Sequence, residues 1–420
     1  MLRPVLFTLM IVMLAIALFV GYTSSAEAQT NVVVELVQAV ELPGSFVVVD
    51  AEPLGEAIIA VLAGPEGFEI ARFSEGVAEW SRQLEPPDGI RGFEPIALEV
   101  VGESILVYGR GKAGLEEAIV KYRVGLGGEG PTLEAVYGLG EAVNVYGAVL
   151  GEGGLLAFGS SFSSLESGWD PTIFVLDPAA GIVKLQAVFE MPGENRASSA
   201  VVVDEYSCMV VETGSKDVEP AVTVDCFNIN TGAAVAEVVM PTGGPSGILV
   251  VDECLVWWSG GKAMHSPLPP DTGLAERLEG LDRYYAATKL VVGDTTLLAV
   301  GGIDGGLPAF NLMEGCPPAV RAEVSIGVQG AVVGLWGGEG EILAYIASPG
   351  STALALYKII VNEDEPSKTV TAIDDNATEA RSPEPVEDAE PPPLTTLGLA
   401  AALAALLAVA AYLRLRSRKP

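Results

Sequence analysis

Short apolar runs separated by Gly, Pro, Asp and Asn recur from Asn31 to Asn362, and no sustained 3.6-residue period competes with them. The pattern predicts β-structure nearly throughout. One hairpin repeats along it: an apolar strand, an acidic or glycine turn, then a second apolar strand. Its copies run Phe46–Asp50 to Ala57–Val61, Ile96–Glu103 to Ile105–Tyr108, Val143–Glu152 to Leu155–Phe158, and Ala200–Glu205 to Cys208–Val211. Three more run Ile248–Glu253 to Leu255–Trp257, Leu290–Asp294 to Leu297–Val300, and Ser325–Gly330 to Val332–Leu335. The turn markers Glu56, Glu103, Glu152, Glu205, Glu253, Asp294 and Gly330 are then spaced by 47, 49, 53, 48, 41 and 36 residues. That is the period of propeller blades, and it predicts seven of them.

A second turn falls inside several units. Ile173-Phe-Val-Leu-Asp-Pro-Ala-Ala-Gly181 and Val224-Asp-Cys-Phe-Asn-Ile-Asn-Thr-Gly232 carry it, and Pro270-Asp-Thr-Gly273 and Phe310-Asn-Leu-Met-Glu-Gly315 are shorter copies. Asp or Asn followed by Gly supplies the geometry for a turn between the third and fourth strands of a blade. Gly181, Gly232, Gly273 and Gly315 are spaced 51, 41 and 42, in step with the first hairpin. Across residues 31–362 these strands resemble the outer strands of quinoprotein-like and related surface-protein propellers, whose blades end in D/N-x-x-G or N-T-G. The chain lacks the tryptophan-and-glycine signature that fixes quinone binding.

The last unit holds three good strands, ending with Ala353–Val361, while Val32–Val40 is a spare strand at the other end. Completing the last blade with that first strand removes an exposed edge and closes a ring. A stack of two or three β-sandwiches is the alternative. Four cysteines allow three pairings; the register places Cys208 and Cys226 on neighbouring strands of the fourth blade, and Cys254 and Cys316 in the fifth and sixth. Those two pairs are the expected disulfides. Zinc is the competing use, but no C-x-x-C pair is present and the single histidine is His265.

The flanks change the picture. Leu394–Leu413 is an uncharged, mostly Leu/Ala/Val run, long enough as a helix to span roughly 30 Å of bilayer. Arg414, Arg416, Arg418 and Lys419 follow it, which puts the 414–420 tail in the cytoplasm and everything upstream outside. A buried core helix is the alternative reading. Residues 1–28 have the layout of a signal peptide: Arg3, an apolar run from Val5 to Val20, and Ala26-x-Ala28 before Gln29. An uncleaved anchor would deliver the chain to the same side. Between them, 363–393 holds ten acids, two bases and six prolines, the composition of a disordered stalk. Its single sequon, Asn376-Ala-Thr378, predicts glycosylation at Asn376.

Charge narrows the partners. Without Glu27, Arg3 and the four tail bases, 54 acids face 18 bases, about −36, which argues against nucleic acid and anionic lipid headgroups. Asn and Gln total 13, a scarcity that fits a thermophile, and the whole looks like an archaeal cell-surface protein.

Catalytic constellations are scarce. His265 sits in Met264-His-Ser-Pro-Leu-Pro-Pro, which reads as a surface loop without a nucleophile elbow. The best acid set is Glu152, Glu166 and Asp170 in the third unit, with Trp169 placed to stack on a sugar. Solvated loop acids are the plainer account of it. Trp257 and Trp258 alternate across a strand, one for the core and Trp258 for a contact. The turn acids Asp204, Glu205, Asp252 and Glu253 are the one expected hold for Ca²⁺, without a D-x-D-x-D-G loop, and no other cofactor is expected. The expected function is a binding or scaffolding module for a cell-envelope protein or glycan. The alternatives are a carbohydrate-active enzyme using a carboxylate pair, and a substrate receptor of a membrane transporter.

Overall fold

The computed structural model describes residues 31–151, 154–164, 168–177, 179–191, 193–215, 218–268, 275–349, 351–362 and 370–371. The signal peptide, the 394–413 segment, Asn376 and most of 363–393 lie outside these. Among the described residues no helix is long and apolar enough to cross a membrane.

The chain opens with β1 (Asn31–Leu42). Blade one follows as β2 (Val47–Leu54), β3 (Ala57–Gly64), β4 (Gly67–Ser74) and β5 (Val77–Leu84). Blade two is β6 (Ile90–Val101), β7 (Ser104–Ala113), β8 (Glu116–Gly125) and β9 (Thr132–Gly140). Blade three is β10 (Val143–Gly151), β11 (Gly154–Ser164), β12 (Gly168–Asp177) and β13 (Ile182–Val188). Blade four is β14 (Asn195–Val203), β15 (Tyr206–Ser215), β16 (Val218–Asn228) and β17 (Ala234–Met240). Blade five is β18 (Gly247–Val251), β19 (Cys254–Ser259), β20 (Lys262–Pro267) and β21 (Glu276–Arg277). Blade six is β22 (Arg283–Val292), β23 (Thr295–Asp304), β24 (Leu307–Glu314) and β25 (Ala319–Ser325). Blade seven is β26 (Ala331–Gly337), β27 (Glu341–Ser348) and β28 (Ser351–Asn362), with β1 as its outermost strand.

The first strands touch in order, β2 to β6, β10, β14, β18, β22, β26 and back to β2, so the seven sheets form a closed propeller. Closure follows the expected route: β1 pairs antiparallel with β28 from Asn31 opposite Asn362 to Leu42 opposite Thr352. The seventh turn is a correction. Gly330 lies in the connection between blades six and seven, and the first hairpin of blade seven turns at 338–340. With Glu339 as the marker the last step is 45, not 36, because Gly-Gly-Glu-Gly rather than the nearer Gly330 supplies the turn. The outer turns hold as expected where described: Asp177 accepts from the Ala179 and Ala180 amides at 3.0 and 2.9 Å. Asn228 likewise accepts from Asn230 and Thr231 at 3.0 and 3.1 Å.

Each apolar core sits between two neighbouring blades, so the middle strands are covered on both faces and read as unbroken apolar runs. Ile58, Ile59, Ala60 and Val61 are all at 0% exposure, with Ile58 and Ala60 facing blade seven and Ile59 and Val61 facing blade two. The closing strand serves two interfaces. Val32 and Val34 pack between blades six and seven, Val40 and Leu42 between seven and one. A bulge between Leu36 and Gln38 shifts the register by one, which carries even-numbered residues from one face to the other. Cys208–Cys226 bridges β15 and β16, and Cys254–Cys316 joins blade five to blade six, as the sequence register predicts. One difference lies in the acidic segment: its β-branched Val370 and Thr371 form β29 (Val370–Thr371), parallel to β25 on the rim of blade six.

Two faces result. The lower one carries the turns between first and second strands, with an acid in each described turn, together with Asn31 and Asn362. The upper face carries the connections between blades.

Candidate functional site

The upper mouth of the ring is shaped by a repeated irregularity. In six blades the first strand skips one residue against its partner: Val49, Ile96, Tyr146, Ser198, Tyr285 and Val333. A bulge bends the strand and re-aims the extra side chain. The bulges need space beneath them. A Cβ at Gly159 would lie 1.9 Å from the Asn144 carbonyl oxygen, and one at Gly302 would lie 1.8 Å from that of Arg283.

At Tyr146 the bulge opens into a cavity of about 510 Å³ between blades three and four. Trp169, at the start of β12, forms one wall and meets Phe162 edge-on, with ring centroids 5.8 Å apart. Opposite it, Arg196 at the start of β14 lies over the Tyr146 ring, 5.4 Å from its centroid. Arg196 is held there by Glu212, with Nε donating at 3.0 Å. Buried Ser160 donates to the Tyr146 hydroxyl at 3.4 Å, and buried Asn195 accepts from Thr213 at 2.8 Å. The result is two aromatic faces beside fixed hydroxyl, amide and charged groups, the usual make-up of a small-molecule site.

A second cavity, about 420 Å³, lies between blades two and three and shares Asn144 and Tyr146 with the first. Arg91, Arg110 and Lys112 line it together with Glu94 and Glu117. Arg110 pairs with Glu94 and donates to the Val145 carbonyl. Glu117 is buried, accepts the Val145 amide at 3.2 Å, and has its pKa raised by that burial. A third cavity of about 480 Å³, between blades six and seven, is lined by Pro245, Tyr285, Val333 and Pro349.

Asp50 and Glu52, on the innermost strand of blade one, are the most perturbed acids near the axis. Burial raises Asp50 to about 6 and Glu52 to about 7, the latter also through repulsion from Asp50 and Glu99. Both are committed to structure: Asp50 accepts the Leu98 amide at 2.6 Å and Glu52 the Val100 amide at 2.7 Å. They cap the inward-facing donors of β6 and clamp blade one to blade two.

Of the residues singled out in the sequence, Trp169 stands in the wall of the first cavity. Asp170 is fully buried instead, accepting from Ser163 and, at 2.9 Å, from the Met191 amide, so it ties two upper loops together. Glu152 and Glu166 lie outside the described residues. Trp258 is half-buried against Gly247, packed towards blade six, and Trp257 is core. His265 corrects the expectation of a surface loop. It lies on β20, 6% exposed, with its pKa lowered by burial and its Nδ1 unpartnered. The Pro-rich sequence after it disguised a strand, and third strands are covered on both faces. Among the described residues no three His, Cys, Asp or Glu side chains gather to hold a metal ion, and the turn acids sit one blade apart.

Tyr146, Arg196, Glu212, Arg91 and Lys112 were not legible as site residues. The one available signal is the repeat itself: Val49, Ile96, Tyr146 and Ser198 follow each other at 47, 50 and 52 residues.

The geometry defines the class as a seven-bladed propeller with a polar, aromatic cleft on its upper face. No known protein family matches the chain, nor does any curated protein. Among solved structures it is similar to the Pan2 WD40 domain of Neurospora crassa, at 10% identity and a TM-score of 0.47, covering 78% of this chain and 96% of that one.

Proposed function

We propose that this chain is an extracytoplasmic recognition module, held at the membrane by 394–413 and binding a cell-envelope glycan in the cleft between blades three and four. The cleft carries the reading: Trp169 and Tyr146 offer faces for sugar rings, and Ser160, Asn195, Thr213 and the Arg196–Glu212 pair offer partners for hydroxyls.

The full chain, purified in detergent and applied to a glycan array, is expected to bind a restricted set of glycans. Trp169→Ala should weaken that binding at least tenfold without changing the melting temperature. No glycan above background would end this reading, and a stoichiometric envelope protein recovered by cross-linking from the native membrane would replace it.

The second reading is a carboxylate-pair hydrolase, favoured by Glu194 and Glu212 standing in the wall of the same cavity. It requires release of reducing ends from a bound glycan, abolished by Glu212→Gln.

A further inference from the structure

We infer that the two adjacent cavities across blades two, three and four form one groove for an anionic glycan, a chain of carboxylate-bearing sugars. This rests on the glycan reading of the Trp169 cleft and names its substrate class.

The first ground is continuity. Asn144 and Tyr146 belong to both cavities, so a bound chain that stacks on Trp169 and Tyr146 runs on towards blade two. Adjacent sugars in such a chain would meet the second cavity.

The second ground is where the bases are. Arg91 on β6 stands directly opposite Lys112 on β7 in the antiparallel register. Side chains so paired share a face, and two like charges there repel. Lys112 is opposite Glu117 on its other side, but at 4.0 Å that contact is at the outer limit of an ion pair. Glu117 turns instead to the Val145 amide of the next blade. Arg91 makes no ion pair or side-chain hydrogen bond among the described residues, and Lys112 is half exposed. Arg110, two residues along on the same face, points its guanidinium at Glu94 and the Val145 carbonyl. Arg91 opposite Lys112, relieved only by the long Lys112–Glu117 contact, is the arrangement a carboxylate would bridge.

The third ground is contrast. The chain carries net charge −32, so an anionic polymer is repelled from most of the surface. The lower face, with an acid in each described first turn, repels it. Arg91, beside a Lys112 whose one ion pair to Glu117 is long, sets both the place and the direction of approach next to the aromatic cleft.

Calorimetric titration of the full chain in detergent tests this with three probes: tetragalacturonate, its neutral counterpart galactotetraose, and tetraglutamate. Tetragalacturonate should bind at least tenfold more tightly than galactotetraose, and the Arg91→Gln/Lys112→Gln variant should remove that preference. Those side chains are exposed, so the melting temperature of the variant should match the parent. Equal binding of both sugars, lost in Trp169→Ala but unchanged in the double variant, would overturn the anionic groove while leaving the glycan reading intact. Binding of neither sugar would sink both. Tetraglutamate binding as tightly as tetragalacturonate would overturn the groove as a sugar site and point to acidic peptides.

Discussion

Asp50 and Glu52 show how single residues hold this ring together at a cost. The inward edge of β6 presents the amides of Leu98 and Val100 to the axis, where no further strand pairs with them. Two carboxylates at positions i and i+2 of β2 match their spacing. Burial opposes the charge, so both acids hold protons more tightly when folded than when unfolded. Folding stability from this pair is therefore fully present below about pH 4 and is lost as the pH rises through about 6 for Asp50 and 7 for Glu52. Discounted for solvent reaching Glu52, the loss between pH 4 and pH 8 is on the order of 4 kcal/mol. Asp50→Asn/Glu52→Gln keeps an acceptor for each amide and removes the charge. Chemical denaturation at pH 5 and pH 8 should show a falling stability in the parent and a flatter one in the variant. An equal slope in both would mean these groups do not set it.

Among the elements, β1 carries a burden that its composition alone does not reveal. Its buried apolar residues, Val32, Val34, Val40 and Leu42, are all at even positions, which for an unbroken strand means one face. The bulge at Val37 splits them between two interfaces, so one strand seals both sides of blade seven. The second seam is covalent. Cys254–Cys316 spans 62 residues and joins two blades, whereas Cys208–Cys226 spans 18 within one. In the chain-entropy account these contribute about 4 and about 3 kcal/mol. Cys254→Ser/Cys316→Ser should thus lower the denaturation midpoint more than Cys208→Ser/Cys226→Ser. Native-state hydrogen exchange should speed up at the border of blades five and six in the former only. The reverse order would show that strain or residual structure outweighs loop length.

The whole chain is strongly acidic, and its local ion pairs and global repulsion respond oppositely to salt. Pairs such as Arg72–Glu79 and Lys184–Asp177 are partly exposed and contribute little each. Repulsion across a net charge of −32 acts over the whole surface and is screened within about 10 Å at 0.1 M salt. Raising NaCl from low to moderate concentration should therefore raise the melting temperature by several degrees. A fall would mean that the local pairs dominate.

Much of this architecture is legible in the sequence. Unbroken apolar runs, recurring turns and the spare strand at Val32–Val40 specify seven blades and their closure, because strand propensity and turn chemistry are local and a repeat multiplies the signal. The disulfide partners followed from that register. The site did not. Tyr146, Arg196 and Arg91 come from three different blades, and nothing in their neighbours along the chain marks them. His265 and Asp170 looked like loop polars and are buried, since exposure in a propeller depends on the blade next door. Local patterning determined the blades; their packing around the ring decided which bulges, bases and aromatics meet, because that meeting is set by non-local contacts between blades.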